Sequence, residues 1–171
     1  GDQAIQTYSE KFDGYQPECI EVDLADLKSA RNEISAVLRD AIDKAYENIY
    51  TFHKAQQTDR VKLDVQEGVS CWQEKRPIEK VGLYVPGGTA PLFSSILMLA
   101  IPATIAGCRE IVLCTPPNQS GQLASAIRYA AYKCGVTRLF QVGGIQAIGG
   151  MTFGTDTIPK VYKILGPGNQ Y

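Results

Sequence analysis

The chain has 171 residues, 44% of them hydrophobic and 20% charged, an ordinary globular composition with enough length for one sizeable core. Lys and Arg number 17 against 18 Asp and Glu, a formal net charge of −1. With no block of like charge, the electrostatic basis for a nucleic-acid or anionic-membrane partner is removed, and the longest nearly uncharged stretch, Val81 to Cys108, is broken too often by Pro86, Gly87, Gly88, Pro91 and Pro102 to span a membrane.

In chain order, Asp2 to Phe12 reads as the end of a helix stopped near Gly14, with no secretory or transit pattern, and Glu18 to Val22 as a short strand. Asp23 suits the N-cap of a short helical stretch through Ile34. From Ser35 a longer helix sets Leu38, Ile42, Ala45, Ile49 and Phe52 at alternating spacings of four and three, on one face that must pack against something. Val61, Leu63 and Val65 alternate with Lys62, Asp64 and Gln66. After Glu67-Gly68 a second run, Val69 to Lys75, allows an antiparallel hairpin. Arg76-Pro77 is the expected boundary between a helical arm with a hairpin (residues 1–77, part of a first domain) and a second unit (residues 78–171).

That second unit holds four apolar runs that each finish in a glycine or proline loop: VGLYVPGG from Val81, EIVLCTPP from Glu110, RLFQVGG from Arg138 and VYKILGPGN from Val161. Helix-like segments separate them. Pro91 suits a first helical turn, Leu92 to Ala106 is apolar enough to be buried with Pro102 inside it, and Gly107 ends it. Ser120 is expected to cap the next helix, whose stripe of Leu123, Ile127, Ala130, Ala131 and Cys134 ends at Gly135. The third crossover, Ile145 to Phe153, is short and places Gln146 on its first turn. Strands alternating with helices joined by right-handed crossovers give an α/β fold, an incomplete Rossmann-like parallel sheet over residues 81–171. The four loops then share one rim at the carboxyl ends of the strands, where such sheets bind ligands.

Glycines at that rim serve either tight turns or close approach of backbone N–H groups to an anion. There is no GxGxxG or Walker pattern and no clear acidic residue to grip a ribose, so a nucleotide would be held atypically. Tyr84 can stack on a planar group or fill a core edge. Gln146 and Asn169 are amides that suit an adenine edge, a carboxamide or ribose hydroxyls, and Asn169 can alternatively stabilise its own turn.

The five cysteines, Cys19, Cys71, Cys108, Cys114 and Cys134, are scattered and form no CxxC pair, which suggests reduced cytosolic thiols, mostly buried. Cys108 and Cys114 flank the second strand near the rim and are the candidates if the chain were a thiol-dependent aldehyde oxidoreductase. A non-catalytic nucleotide-binding module is the other alternative. The single histidine, His53, stands on the long helix without metal-ligand spacing. The chain opens at Gly1 within a helix and stops at Tyr171 after a loop with no helix to cover the sheet, and it is expected to be a fragment.

GDQAIQTYSEKFDG, TFHKAQ, RPIEKVGLYVPGGTAPLFSSILMLAIPATIAGC, VGGIQAI and the stretch through Ile158-Pro159-Lys160 to GPGN together resemble the histidinol dehydrogenase family nearly end to end. That resemblance implies a zinc-containing, NAD-dependent cytoplasmic homodimer that oxidises L-histidinol through L-histidinal to L-histidine. It assigns Tyr84, Gln146 and Asn169 to NAD contact. It also implies that the zinc ligands, the Glu-His acid/base pair and the substrate-binding serine all lie beyond GPGN. No catalytic or metal-ligating residue is therefore expected in this chain, which alone should not turn over substrate.

Overall fold

The computed structural model describes residues 1–15, 19–88, 90–118 and 120–168. Among them the central sheet is built from β1 (Glu21–Val22), β4 (Lys80–Tyr84), β5 (Glu110–Cys114), β6 (Arg138–Phe140) and β7 (Lys163–Leu165), in the order β1-β6-β5-β4-β7. β4, β5, β6 and β7 run parallel, and β1 pairs antiparallel with β6 at the edge. The chain thus lays down β4, β5 and β6 in one direction and then returns past β4 to place β7 on its other side. Such a reversal opens a crevice between the first strand of each direction.

Helices cover both faces, as a largely parallel sheet requires. On one face lie α2 (Leu24–Ser29) with the 3-10 turn after it, α3 (Ala36–Lys54), α4 (Phe93–Ala106) and α5 (Ser125–Lys133); on the other lie α1 (Asp2–Asp13) and α6 (Gly144–Phe153). The period of two along the strands sorts their side chains between these layers. Ile111 and Leu113 of β5 join the α3–α5 side, while Val112 and Cys114 join the α1/α6 side with Phe140, Ala147 and Met151. Residues before Arg76-Pro77 contribute to both clusters, Leu27 and Ile42 to one and Ile5 to the other. Gly82 lets α6 approach, because a Cβ there would stand 2.7 Å from Met151 Sδ and 2.9 Å from Val161 Cγ2.

The helix signals act as the sequence indicates, with three exceptions. Gly14 and Gly107 close α1 and α4 in the left-handed conformation, Asp23 accepts the Ala25 N–H at 2.8 Å, and Ser35 caps α3 through the Leu38 N–H at 3.2 Å. Ser120, however, does not cap α5. Asn118 Oδ1 accepts from the Ser120 N–H and hydroxyl and from the Gln122 N–H, which holds the segment in a turn and delays the helix to Ser125. Pro91 precedes α4 rather than opening it, since Leu92 takes the cap position with a non-helical backbone. Phe52 is 65% exposed: the inward stripe of α3 runs through Leu38, Ile42, Ala45 and Ile49, and a period of 3.6 turns Phe52 away from it.

β2 (Lys62–Gln66) and β3 (Val69–Trp72) form the expected hairpin around Glu67-Gly68, but both of its faces are exposed, Leu63, Val65 and Trp72 included. No helix among the described residues is long and apolar enough to cross a membrane. All five thiols are free; only Cys114 and Cys134 are buried, Cys108 is half-buried, and Cys19 and Cys71 are exposed. The expectation of mostly buried cysteines is corrected accordingly, because Cys71 sits on the exposed hairpin and Cys19 precedes the edge strand.

A part-buried hydrogen bond joins α5 to α3. Tyr129 of α5, 3% exposed, donates its hydroxyl to Asp43 Oδ1 of α3 at 2.7 Å. Burial, and then the Asp43 carboxylate, push the tyrosine up to about 12 from 10.0. A folded pKa above the unfolded one gives stability that is complete below pH 10 and is lost as pH rises toward 12. Thermal melts from pH 9 to 11.5 should therefore show a falling midpoint that Tyr129→Phe flattens. An unchanged slope in that variant would discard the assignment.

Candidate functional site

A cleft of about 600 Å³ lies at the carboxyl ends of β4 and β7, where the strand order reverses. Three pieces of chain line it: Tyr84 with the Pro86-Gly87 loop, Gly144, Ile145 and Ile148 at the start of α6, and Ile164 with Gly166 to Gly168 after β7. None of these side chains carries a charge. The loop after β5 is also at this rim but fills it, since Pro116 packs where a Cβ on Gly87 would come within 2.8 Å and one on Gly143 within 2.6 Å. Those two glycines are therefore required by loop-on-loop packing, whereas Gly168 has nothing within 4 Å of its would-be Cβ and leaves backbone open to the cleft.

Tyr84 ends β4 on the same face as Gly82, so its ring reaches toward α6 and packs with Ile164 against the cluster on the α1/α6 side. Its hydroxyl is not left to water: it accepts the Gly144 N–H at 3.0 Å, one of the donors that a helix start leaves unpaired. Gly144 itself has φ of 58°, which favours glycine, and a Cβ there would lie 2.9 Å from Gln146 Oε1. The tyrosine thus joins the first strand of the sheet to the start of α6 while keeping its ring on the cleft wall.

Gln146 stands on the first turn of α6, as the sequence places it, but its side chain is 4% exposed and turns toward α1. Its Nε2 donates to Asp13 Oδ2 at 2.7 Å, and its Oε1 is buried with no hydrogen-bond partner among the described residues. An acceptor left in that condition costs about 1–3 kcal/mol. Gln146 lines a second, mainly apolar hollow of about 500 Å³ between α1 and α6, and Ile145 lines both hollows. The structure thus brings Tyr84 and the start of α6 together and sets the Gln146 amide at the seam behind them. Asn169 lies outside the described residues, directly after Gly168.

Asp13 escaped the sequence reading. It closes α1 in the KFD triplet, and nothing in spacing or charge shows that an acidic residue over a hundred positions away will meet Gln146. Burial raises its carboxyl above the usual range, against the opposing pull of the Gln146 hydrogen bond. Pro116 was equally unmarked.

Cys108, Cys114 and Cys134 are poorly suited to a thiolate site. Burial pushes the Cys114 and Cys108 thiols up, and Cys134 up to about 12, the reverse of what a nucleophile requires. His53 shares its Nδ1 with Gln56 Oε1 at 2.8 Å on the surface of α3 and meets the Phe52 ring edge-on. Among the described residues no group of three or more His, Cys, Asp and Glu can hold a metal ion.

This arrangement has close counterparts. The family model described as histidinol dehydrogenase matches residues 1–171. The histidinol dehydrogenase of Bacteroides fragilis is 54% identical over the whole chain, which covers 40% of that protein, and that of Escherichia coli is 48% identical with 38% covered. The crystal structure of histidinol dehydrogenase from Elizabethkingia anophelis superposes with a TM-score of 0.94 at 49% identity, covering 99% of this chain and 39% of the other. The chain thus spans about 40% of the length of the curated relatives it matches. With identity of this order along its whole length, the chain belongs to the histidinol dehydrogenase family.

Proposed function

We propose that these residues form the NAD-binding part of a zinc-dependent enzyme that oxidises L-histidinol through L-histidinal to L-histidine with two NAD. The observation that supports this most is the uncharged cleft at the reversal between β4 and β7. Its residues suit a dinucleotide: the Tyr84 ring offers a face for a planar base, and the open backbone at Gly168 leaves room for close approach. With no charged side chain among the described residues of its wall, a diphosphate would have to be met by backbone N–H groups at Gly87, Ile145 and Gly168. When bound, NAD supplies the hydride acceptor.

Zinc does not fit the residues present, for the described part of the chain holds no ligand cluster and its one histidine is engaged with Gln56. In this reading the metal site and the acid/base pair belong to the part of the relatives' length that these 171 residues do not cover, and no step through zinc is drawn from this chain. We read residues 78–171 as the larger part of the NAD-binding domain, with 1–77 packed onto it and belonging to the first domain. A cytoplasmic homodimer acting on a small molecule, without nucleic acid or membrane, agrees with the near-neutral charge and the free thiols.

The 171-residue chain mixed with histidinol, NAD and zinc should give no turnover above background, yet should bind NAD in a calorimetric titration. Tyr84→Ala should weaken that binding about tenfold, the effect of losing one aromatic stacking face worth roughly 1–2 kcal/mol. Turnover, or NAD affinity indifferent to Tyr84→Ala, would overturn the reading.

A further inference from the structure

Among the described residues β2 and β3 pair only with each other. A lone two-stranded hairpin is marginal in water, and a sheet becomes independently stable at three or more strands with an apolar face. The register sets Leu63 opposite Cys71, Lys62 opposite Trp72 and Asp64 opposite Ser70. The period of two therefore gathers Val61, Leu63, Val69 and Cys71 on one side, all of them exposed. The opposite side is satisfied within the hairpin: the Ser70 hydroxyl donates to Asp64, and Arg60 pairs with Glu74 at 3.2 Å while lying 5.5 Å from the Trp72 ring centre. The two edges differ as well. The β2 edge carries Lys62 and Asp64 and holds one residue more than β3 between Asp64 and Gln66, and both features keep a foreign strand away. β3 reads Val69-Ser70-Cys71-Trp72, with no charge, no proline and no extra residue. The Gln73 N–H donates to the Val61 carbonyl at 2.9 Å, so the alternation of an antiparallel pair turns the N–H and C=O groups of Ser70 and Trp72 away from β2.

We propose that the outer edge of β3 pairs with β3 of a second copy of this chain, joining two hairpins into a four-stranded antiparallel sheet about a two-fold axis. The inference rests on the homodimer reading given above and assigns it a surface. A strand that meets its own copy across a two-fold axis is antiparallel to it, as an isologous interface requires. The register follows from the groups that face outward. With the axis at Cys71, Ser70 of each copy lies opposite Trp72 of the other, and each such pair exchanges both of its N–H and C=O groups. Cys71 then stands opposite itself and Val69 opposite Gln73, so every opposed side chain is neutral and no like charges meet. The small serine leaves room beside the indole. On the apolar side the stripe of Val61, Leu63, Val69 and Cys71 continues into its copy, which takes the sheet past the size at which it is stable. One strand edge buries well under the roughly 800 Å² per partner of a standard interface, so the association is weak and depends on concentration.

Sedimentation velocity of the 171-residue chain, run from low to high micromolar concentration, should show a monomer–dimer equilibrium. Trp72 is the chain's one tryptophan, and its emission should shift over the same range. Ser70→Pro removes an outward N–H that β2 does not use, a place where an edge strand tolerates proline. It should keep the melting midpoint of the dilute chain and weaken association at least tenfold, by about the loss of its edge hydrogen bonds. Bismaleimidoethane, which joins two nearby thiols, should link the dimer through Cys71. That link should vanish in Cys71→Ser and persist in Cys19→Ser, the variant of the other exposed thiol. A dimer that survives Ser70→Pro, or one that is linked as well in Cys71→Ser, overturns the inference while leaving the homodimer reading intact. A chain that stays monomeric at every concentration overturns both, and leaves the β3 edge to a strand from a different chain.

Discussion

Gly166→Ala is expected to lower the melting midpoint by about 6–12 °C and to reduce NAD binding at least tenfold. The loop after β7 passes so close to the end of β4 that a Cβ on Gly166 would overlap the carbonyl oxygen of Tyr84 and stand 3.0 Å from its Cβ. The obstacle is backbone, which cannot rotate aside, so the loop has to move outward by the missing distance. Forcing one carbon into a packed contact costs about 1–3 kcal/mol, and the upper end applies where backbone blocks it. A domain of this size loses roughly 2–4 °C per kcal/mol. The functional loss follows from the same displacement, because Gly166 and Tyr84 both line the cleft. Gly149→Ala is the control: its would-be Cβ has nothing within 4 Å, and in the interior of α6 it should stabilise by about 0.5–1 kcal/mol. A Gly166→Ala protein that melts with the unsubstituted chain would show that the β4–β7 mouth is wider in solution than described here.

Much of this architecture was legible because each element carries a local signal that the tertiary structure does not oppose. The runs at Val81, Glu110, Arg138 and Val161 became the four parallel strands, and Gly14, Asp23, Ser35 and Gly107 mark helix ends by mechanisms confined to a few residues. Where a second local signal competed, the reading failed: Ser120 has the chemistry of a cap, but Asn118 two residues earlier has the chemistry of a turn and captures the same donors. Strand order was beyond reach, since nothing within the β7 run says that it returns to the far side of β4 and thereby creates the cleft. For the same reason Tyr84 was visible as a rim residue while its hydroxyl's partner, Gly144 N–H, was not. Asp13 and Gln146 form a contact between the two halves of the chain, and such pairs leave no trace in a single sequence.

Phe140→Ala should be the most destabilising single truncation on the α1/α6 side, at about 3–5 kcal/mol and roughly 6–20 °C in the melting midpoint. Phe140 ends β6 with no exposed surface, among Val112, Ala147, Met151 and Ile158, and the Arg138 guanidinium lies 5.0 Å from its ring centre. Its backbone also accepts the Thr115 N–H at 3.1 Å, so the strand end is fixed from two sides and cannot collapse into the space that the ring vacates. The consequence should reach the cofactor side, because Gln141 to Gly143 lead directly from this ring to the first turn of α6, where Gly144 meets Tyr84 and Gln146 meets Asp13. A loosened α6 start should therefore weaken NAD binding even at temperatures where the variant stays folded. Phe153→Ala, at the other end of the same helix and 82% exposed, should change stability by no more than about 0.5 kcal/mol. If the two substitutions prove equally mild, the α1/α6 layer is not packed on the sheet as described, and the support it lends to Gln146 fails with it.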